Sequence, residues 1–111
     1  MKKLRIGCDI VSLPRFKKIL SRTPSMRGRI FLPYEERGAS LDKLAGIFAA
    51  KEAVIKALGI PVGSWRNIEI SHHKNGRPKI KLFGNGVSKY KGEISIAHDG
   101  DYAMAFVVFY G

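Results

Sequence analysis

Hydrophobic and polar positions alternate from Leu4 to Val11, with Ile6, Cys8 and Ile10 on one face and Gly7, Asp9 and Val11 on the other. A period of two predicts a strand. Ser12 and Pro14 then open a short helix to about Ser21. Its apolar stripe is Phe16, Ile19 and Leu20, and Arg15, Lys18 and Arg22 share the opposite side. Residues 22–40 carry Pro24, Gly28, Pro33 and Gly38, which predicts loop with one helical turn near Pro33–Arg37. Leu41 to Leu58 is the longest helical pattern, closed by Gly59 and Pro61. Asn67–Ser71 and Lys79–Phe83 predict a hairpin around Asn75-Gly76. Gly84 to Tyr90 is a linker or one short helix. Gly92–His98 and Tyr102–Phe109 predict a last hairpin around Asp99-Gly100, its final strand nearly all apolar. The expected fold is α+β, a mostly antiparallel sheet packed against one long helix and shorter helices.

With 111 residues, 45% of them apolar, the chain can build one core and is too short for two, so a single domain over 1–111 is expected. Twenty Lys and Arg stand against nine Asp and Glu, a net charge of +11, and up to residue 34 the only acid is Asp9. Such a field attracts polyanions: nucleic acid, an acidic protein, an anionic membrane or a phosphorylated small molecule. Cys8 is alone, which excludes an internal disulfide and a multi-cysteine zinc cage. The opening Met1-Lys2-Lys3 is followed by an apolar stretch broken by Arg5 and Asp9, which argues against a signal peptide. No apolar run approaches the length of a membrane span. The expectation is a cytoplasmic protein.

The long helix is apolar on nearly every side yet holds Lys51, Glu52 and Lys56 in its middle. Helices apolar all round are normally buried, and a buried carboxylate must be paired, protonated or bound to metal. Phe48, Glu52 and Lys56 lie along one ridge; the alternative is a simple Glu52–Lys56 pair on a solvated edge. Asp9 likewise interrupts a core-like strand, where Asp is disfavoured, and either caps the next helix, pairs with a lysine, or joins Glu52 around a cation. Two carboxylates favour Mg²⁺, completed by water and substrate phosphates. His98 ends a strand, as base, phosphate donor, metal ligand or structural residue. Ser95 points to the face opposite His98, which argues against a Ser–His catalytic pair. His72 and His73 face opposite ways and are taken as surface. Gly84-Asn85-Gly86 is weak as a dinucleotide signal.

Phe48-Ala-Ala-Lys51-Glu52-Ala53-Val-Ile-Lys56 resembles the W/F-x-x-K-E-[AS]-x-x-K signature of the phosphopantetheinyl transferase superfamily. Gly7-Cys8-Asp9-Ile10-Val11, Asn75-Gly76-Arg77-Pro78 and Ser95-Ile96-Ala97-His98 followed by Tyr102-Ala103-Met104-Ala105 are similar to motifs of its holo-acyl-carrier-protein synthase branch, in the same order. Ile47, where the family often has Arg or Lys, and Ala97, in place of a hydroxyl residue, depart from the pattern.

The resemblance implies a 4′-phosphopantetheinyl transferase-like fold and transfer of 4′-phosphopantetheine from coenzyme A to a serine of acyl carrier protein. It implies Mg²⁺ held by Asp9 and Glu52, and Lys56 near the phosphates and the reacting hydroxyl. Ser95 and His98 are implied at the nucleotide end of coenzyme A, with Gly76 and Pro78 beside the adenosine. Glu52 is the candidate base. The branch forms homotrimers with interfacial active sites, and Arg15, Lys18 and Arg22 would dock the acidic carrier protein. On this view neither nucleic acid nor membrane is a partner. The competing expectation, a small nucleic-acid-binding protein, draws on the charge and on Trp65, Phe83 and Tyr90. It gives no reason for Asp9 and Glu52.

Overall fold

The structure, a computed structural model, describes residues 3–84 and 86–111; Met1 and Lys2 of the basic N-terminus and the Asn85 of Gly84-Asn85-Gly86 lie outside them. Strand β1 (Leu4–Ser12) leads into helix α1 (Leu13–Arg22), then α2 (Met26–Ile30), α3 (Pro33–Glu36) and the long α4 (Leu41–Leu58). A 3₁₀ turn (Trp65–Asn67) precedes β2 (Ile68–His72), β3 (Pro78–Leu82), β4 (Lys91–Asp99) and β5 (Tyr102–Tyr110). Strands β1, β5 and β4 form a three-stranded antiparallel sheet with β5 in the middle, and β2 and β3 form a separate hairpin.

Helix α4 sits where its sequence places it. Ser40 Oγ accepts from Lys43 N–H at 3.2 Å, and Gly59 closes the helix with φ 66° while its N–H donates to the Ile55 carbonyl. Such caps satisfy terminal groups the helix leaves unpaired. Ala49, Ala50, Ala53 and Ala57 let the helix lie close on the sheet, against Val11, Ala103, Ala105, Val107 and Phe109 in one continuous core. The approach is tightest at Gly7, where a Cβ would stand 2.1 Å from the Ala53 carbonyl oxygen.

Alternation in β1 and β5 is as the sequence suggests, but only one face of the sheet is covered. Ile6 and Ile10 are 68% and 62% exposed, Phe106 51% and Met104 40%, so the second apolar face stands bare. In α1, Phe16 and Leu20 are buried while Ile19, expected in the same stripe, is 44% exposed. Helix α2 was not expected; it buries Ile30 completely despite Gly28 in its middle. Residues 86–90 form turns rather than a helix.

Candidate active site

Lys56 is positioned by α4 and Asp9 by β1, and Lys56 Nζ donates to Asp9 Oδ1 at 2.8 Å and to the Cys8 carbonyl at 3.2 Å. That hydrogen bond raises Lys56 above the ordinary lysine value, with the Asp9 charge and the nearby Glu52 charge adding to it. Glu52 lies between Phe48 and Lys56 on the same ridge, and its Oε2 accepts from Trp65 Nε1 at 3.2 Å. Lys56 thus pairs with Asp9 rather than forming the simple Glu52–Lys56 bridge. Asp9, Ser12, Arg15, Ile19 and Phe48 line a cavity of about 170 Å³ beside the ridge. Ile19 is open because it borders this cavity.

Among the described residues no cluster of three or more His, Cys, Asp or Glu could cage a metal. Two carboxylates on adjoining elements, each with one oxygen outside the hydrogen bonds above, are still a donor set suited to Mg²⁺. That ion binds through one or two carboxylates and keeps its remaining positions for water and phosphate.

A second group forms at the start of α4. His98 Nε2 lies 2.9 Å from the Asp42 carbonyl oxygen. A Cβ on Gly46 would meet that ring at 3.0 Å, so glycine makes room for it. Gly76, Pro78, His98 and Gly46 line one cavity of about 180 Å³ with Lys43, Ile47 and His72. Three of the four residues expected at the coenzyme A nucleotide therefore converge. Ser95 does not join them: it pairs across from Phe106 on the bare sheet face and lines a different cavity. Arg15, Lys18 and Arg22 are exposed on α1, and Arg15 alone of the three reaches the Asp9 cavity.

Three residues have surroundings that their local sequence does not signal. His72, taken as surface, is half-buried and lines two cavities; burial and the Lys43 charge lower its pKa. Glu35 is buried with Lys51, whose Nζ donates to Glu35 Oε1 at 2.6 Å and to the Ile30 carbonyl at 2.7 Å. Burial lowers the Lys51 pKa, and the Glu35 bond and charge oppose that. Trp65 was counted among aromatics for nucleic acid, yet it is buried and serves Glu52. A polar residue near Pro and Gly signals a cap or turn at best; nothing local to Glu35 or Trp65 marks a partner 16 or 13 residues away.

The sequence model of the 4′-phosphopantetheinyl transferase superfamily matches residues 5–107. The chain belongs to this superfamily. It is 41% identical to the holo-[acyl-carrier-protein] synthase of Micrococcus luteus, over 93% of this chain and 88% of that protein. The fold is similar to the Helicobacter pylori holo-[acyl-carrier-protein] synthase in complex with coenzyme A, with TM-score 0.84 and 33% identity over 94% of this chain and 98% of that one. It is also similar to the Bacillus anthracis holo-(acyl-carrier-protein) synthase in complex with CoA (3′,5′-ADP), with TM-score 0.81 and 30% identity over 96% of both chains. The superfamily's fold accounts for the α+β arrangement, and its signature helix is α4. No helix among the described residues is long and apolar enough to cross a membrane.

Proposed function

We propose that this chain is a single-domain, cytoplasmic transferase that moves 4′-phosphopantetheine from coenzyme A to a serine of an acidic acyl carrier protein. The observation that carries the proposal is the Asp9–Lys56 ion pair, which ties β1 to the ridge of α4 that also carries Glu52, with Asp9 lining an open cavity. The serine oxygen attacks the phosphorus bearing pantetheine. The bond to the adjoining phosphate oxygen breaks, and adenosine 3′,5′-bisphosphate leaves with the electron pair. Glu52, oriented by Trp65 at Oε2, is the base for the serine proton. Lys56, held charged by Asp9, places a cation beside the phosphates. Asp9 and Glu52 would hold Mg²⁺, which supplies neutralisation of the diphosphate charge.

The basic face of α1 is the dock for the carrier protein, with Arg15 at the junction of dock and cavity. The bare sheet face of Ile6, Ile10, Met104 and Phe106 is the contact between three copies, because a contiguous apolar patch of this kind marks an interaction site. Ser95 lies on that face and enters the coenzyme A site of a neighbouring copy. Mass spectrometry of an apo carrier protein incubated with the enzyme, coenzyme A and Mg²⁺ tests the function directly. A covalent gain of the phosphopantetheine arm is expected; an unchanged carrier-protein mass, with the enzyme folded, overturns the proposal.

A further inference from the structure

Among the described residues the ionic partner of Asp9 is Lys56, whose side chain is 58% exposed where that of Asp9 is 18% exposed. The two ends of this contact differ in freedom. Asp9 is fixed in β1, whose main chain rests on α4 at Gly7. Lys56 extends from the last turn of α4 on an unbranched four-carbon stem, and its second acceptor is the Cys8 carbonyl at 3.2 Å. The lysine is therefore the part that can leave. Glu52 stands one turn before it on the same ridge and makes no ion pair among the described residues; Trp65 occupies one of its oxygens. An ion held by both carboxylates has to share Asp9 with the ammonium. Two carboxylates and one ammonium leave a single net negative charge to face a doubly charged ion, and like charges on one carboxylate repel.

We infer that the Asp9–Lys56 contact is self-inhibitory: in the free protein the ammonium competes with a divalent cation for Asp9, and a diphosphate releases it by offering Lys56 another anion. The inference rests on the proposed placement of Mg²⁺ at Asp9 and Glu52. Cation and diphosphate then bind cooperatively, because each arrival removes what opposes the other. A partly exposed ion pair is weak enough to yield to a multiply charged ligand. The contact also keeps Asp9 paired in the free protein, so the junction of β1 and α4 does not carry two bare carboxylates side by side.

The test is a titration of the full chain with Mn²⁺, which takes the same oxygen ligands as Mg²⁺, followed by the EPR signal of the free ion. Without nucleotide, Lys56→Met and Lys56→Gln are expected to bind Mn²⁺ about two- to fivefold more tightly than wild type, the scale of one partly exposed ion pair. Arg15→Gln removes a cation that lines the Asp9 cavity without pairing to Asp9, and it should leave the affinity unchanged. Saturating coenzyme A should raise Mn²⁺ affinity by a larger factor in wild type than in Lys56→Met. Wild-type affinity in both Lys56 variants, an equal gain in Arg15→Gln, or the same coenzyme A effect in Lys56→Met overturns the inference. Asp9→Asn separates the inference from the placement beneath it. Loss of Mn²⁺ binding is expected there, whereas undiminished binding removes Asp9 as a ligand and the proposed metal site with it.

Discussion

Lys51 Nζ lies 2.6 Å from Glu35 Oε1, and both side chains are wholly closed to solvent. The pair joins α4 to α3, and through the Ile70 N–H to β2, so three segments far apart in sequence share one charge-compensated knot. Removing one partner strands the other charge in the core. Lys51→Met is expected to cost about 3–5 kcal/mol in denaturant unfolding, whereas Lys51→Met with Glu35→Leu recovers much of the loss. A loss below about 1 kcal/mol in the single variant would show that the pair is not the tie between these elements.

Glu52→Gln removes the proposed base while keeping an oxygen that can accept from Trp65. Carrier-protein loading should fall by about 10²–10⁴, the usual contribution of a general base, with the melting temperature little changed. Trp65→Phe keeps the aromatic packing and loses only the N–H that orients Glu52, so a smaller fall in kcat is expected. Wild-type turnover in Glu52→Gln would remove Glu52 from the chemistry.

Burial first and Lys43 second lower the His72 pKa below the ordinary value of 6.5. The folded value therefore lies under the unfolded one. The contribution of neutral His72 to stability is present in full above pH 6.5 and is lost as pH falls through the folded value. An NMR titration of the imidazole should give a midpoint below 6.5, moving up in Lys43→Gln. A midpoint at or above 6.5 would contradict the half-buried placement beside Lys43.

Arg15→Glu reverses one charge where the basic face meets the Asp9 cavity. The KM for carrier protein should rise severalfold at low salt, and its salt dependence should flatten, because steering by exposed charges is screened. An unchanged KM at low salt would move the dock elsewhere.

Phe106→Lys places a charge in the middle of the bare sheet face, directly across from Ser95 on β4. On the proposed assembly, sedimentation should show trimers for wild type and monomers for the variant, and loading should fall with the assembly. A monomeric wild type would overturn the trimer.

Much of this architecture was legible because its signals are local. The α4 bounds follow from Ser40 and Gly59, and the last hairpin from Asp99-Gly100 between alternating strands. Alternation along Ile6, Cys8 and Ile10 separates two faces but does not say which one a helix covers. That depends on the small residues of α4, 40 residues downstream and more. Helix α2 was hidden by Gly28 and by its short length, since a five-residue helix shows little periodicity. In the site, Asp9, Glu52 and Lys56 are conspicuous in the sequence as charged residues within apolar elements. The partner that holds Glu52 is not signalled there: Trp65 reaches it out of a Gly- and Pro-rich turn.

The absent side chain at Gly7 sets a gauge for the whole site. With main chain resting on main chain at Ala53, the spacing between the strand that carries Asp9 and the helix that carries Glu52 is fixed by the thickness of two bare backbones, and no rotamer can retune it. Even one methyl group there would act as a shim, prising Asp9 away from the ridge without touching a single charged group.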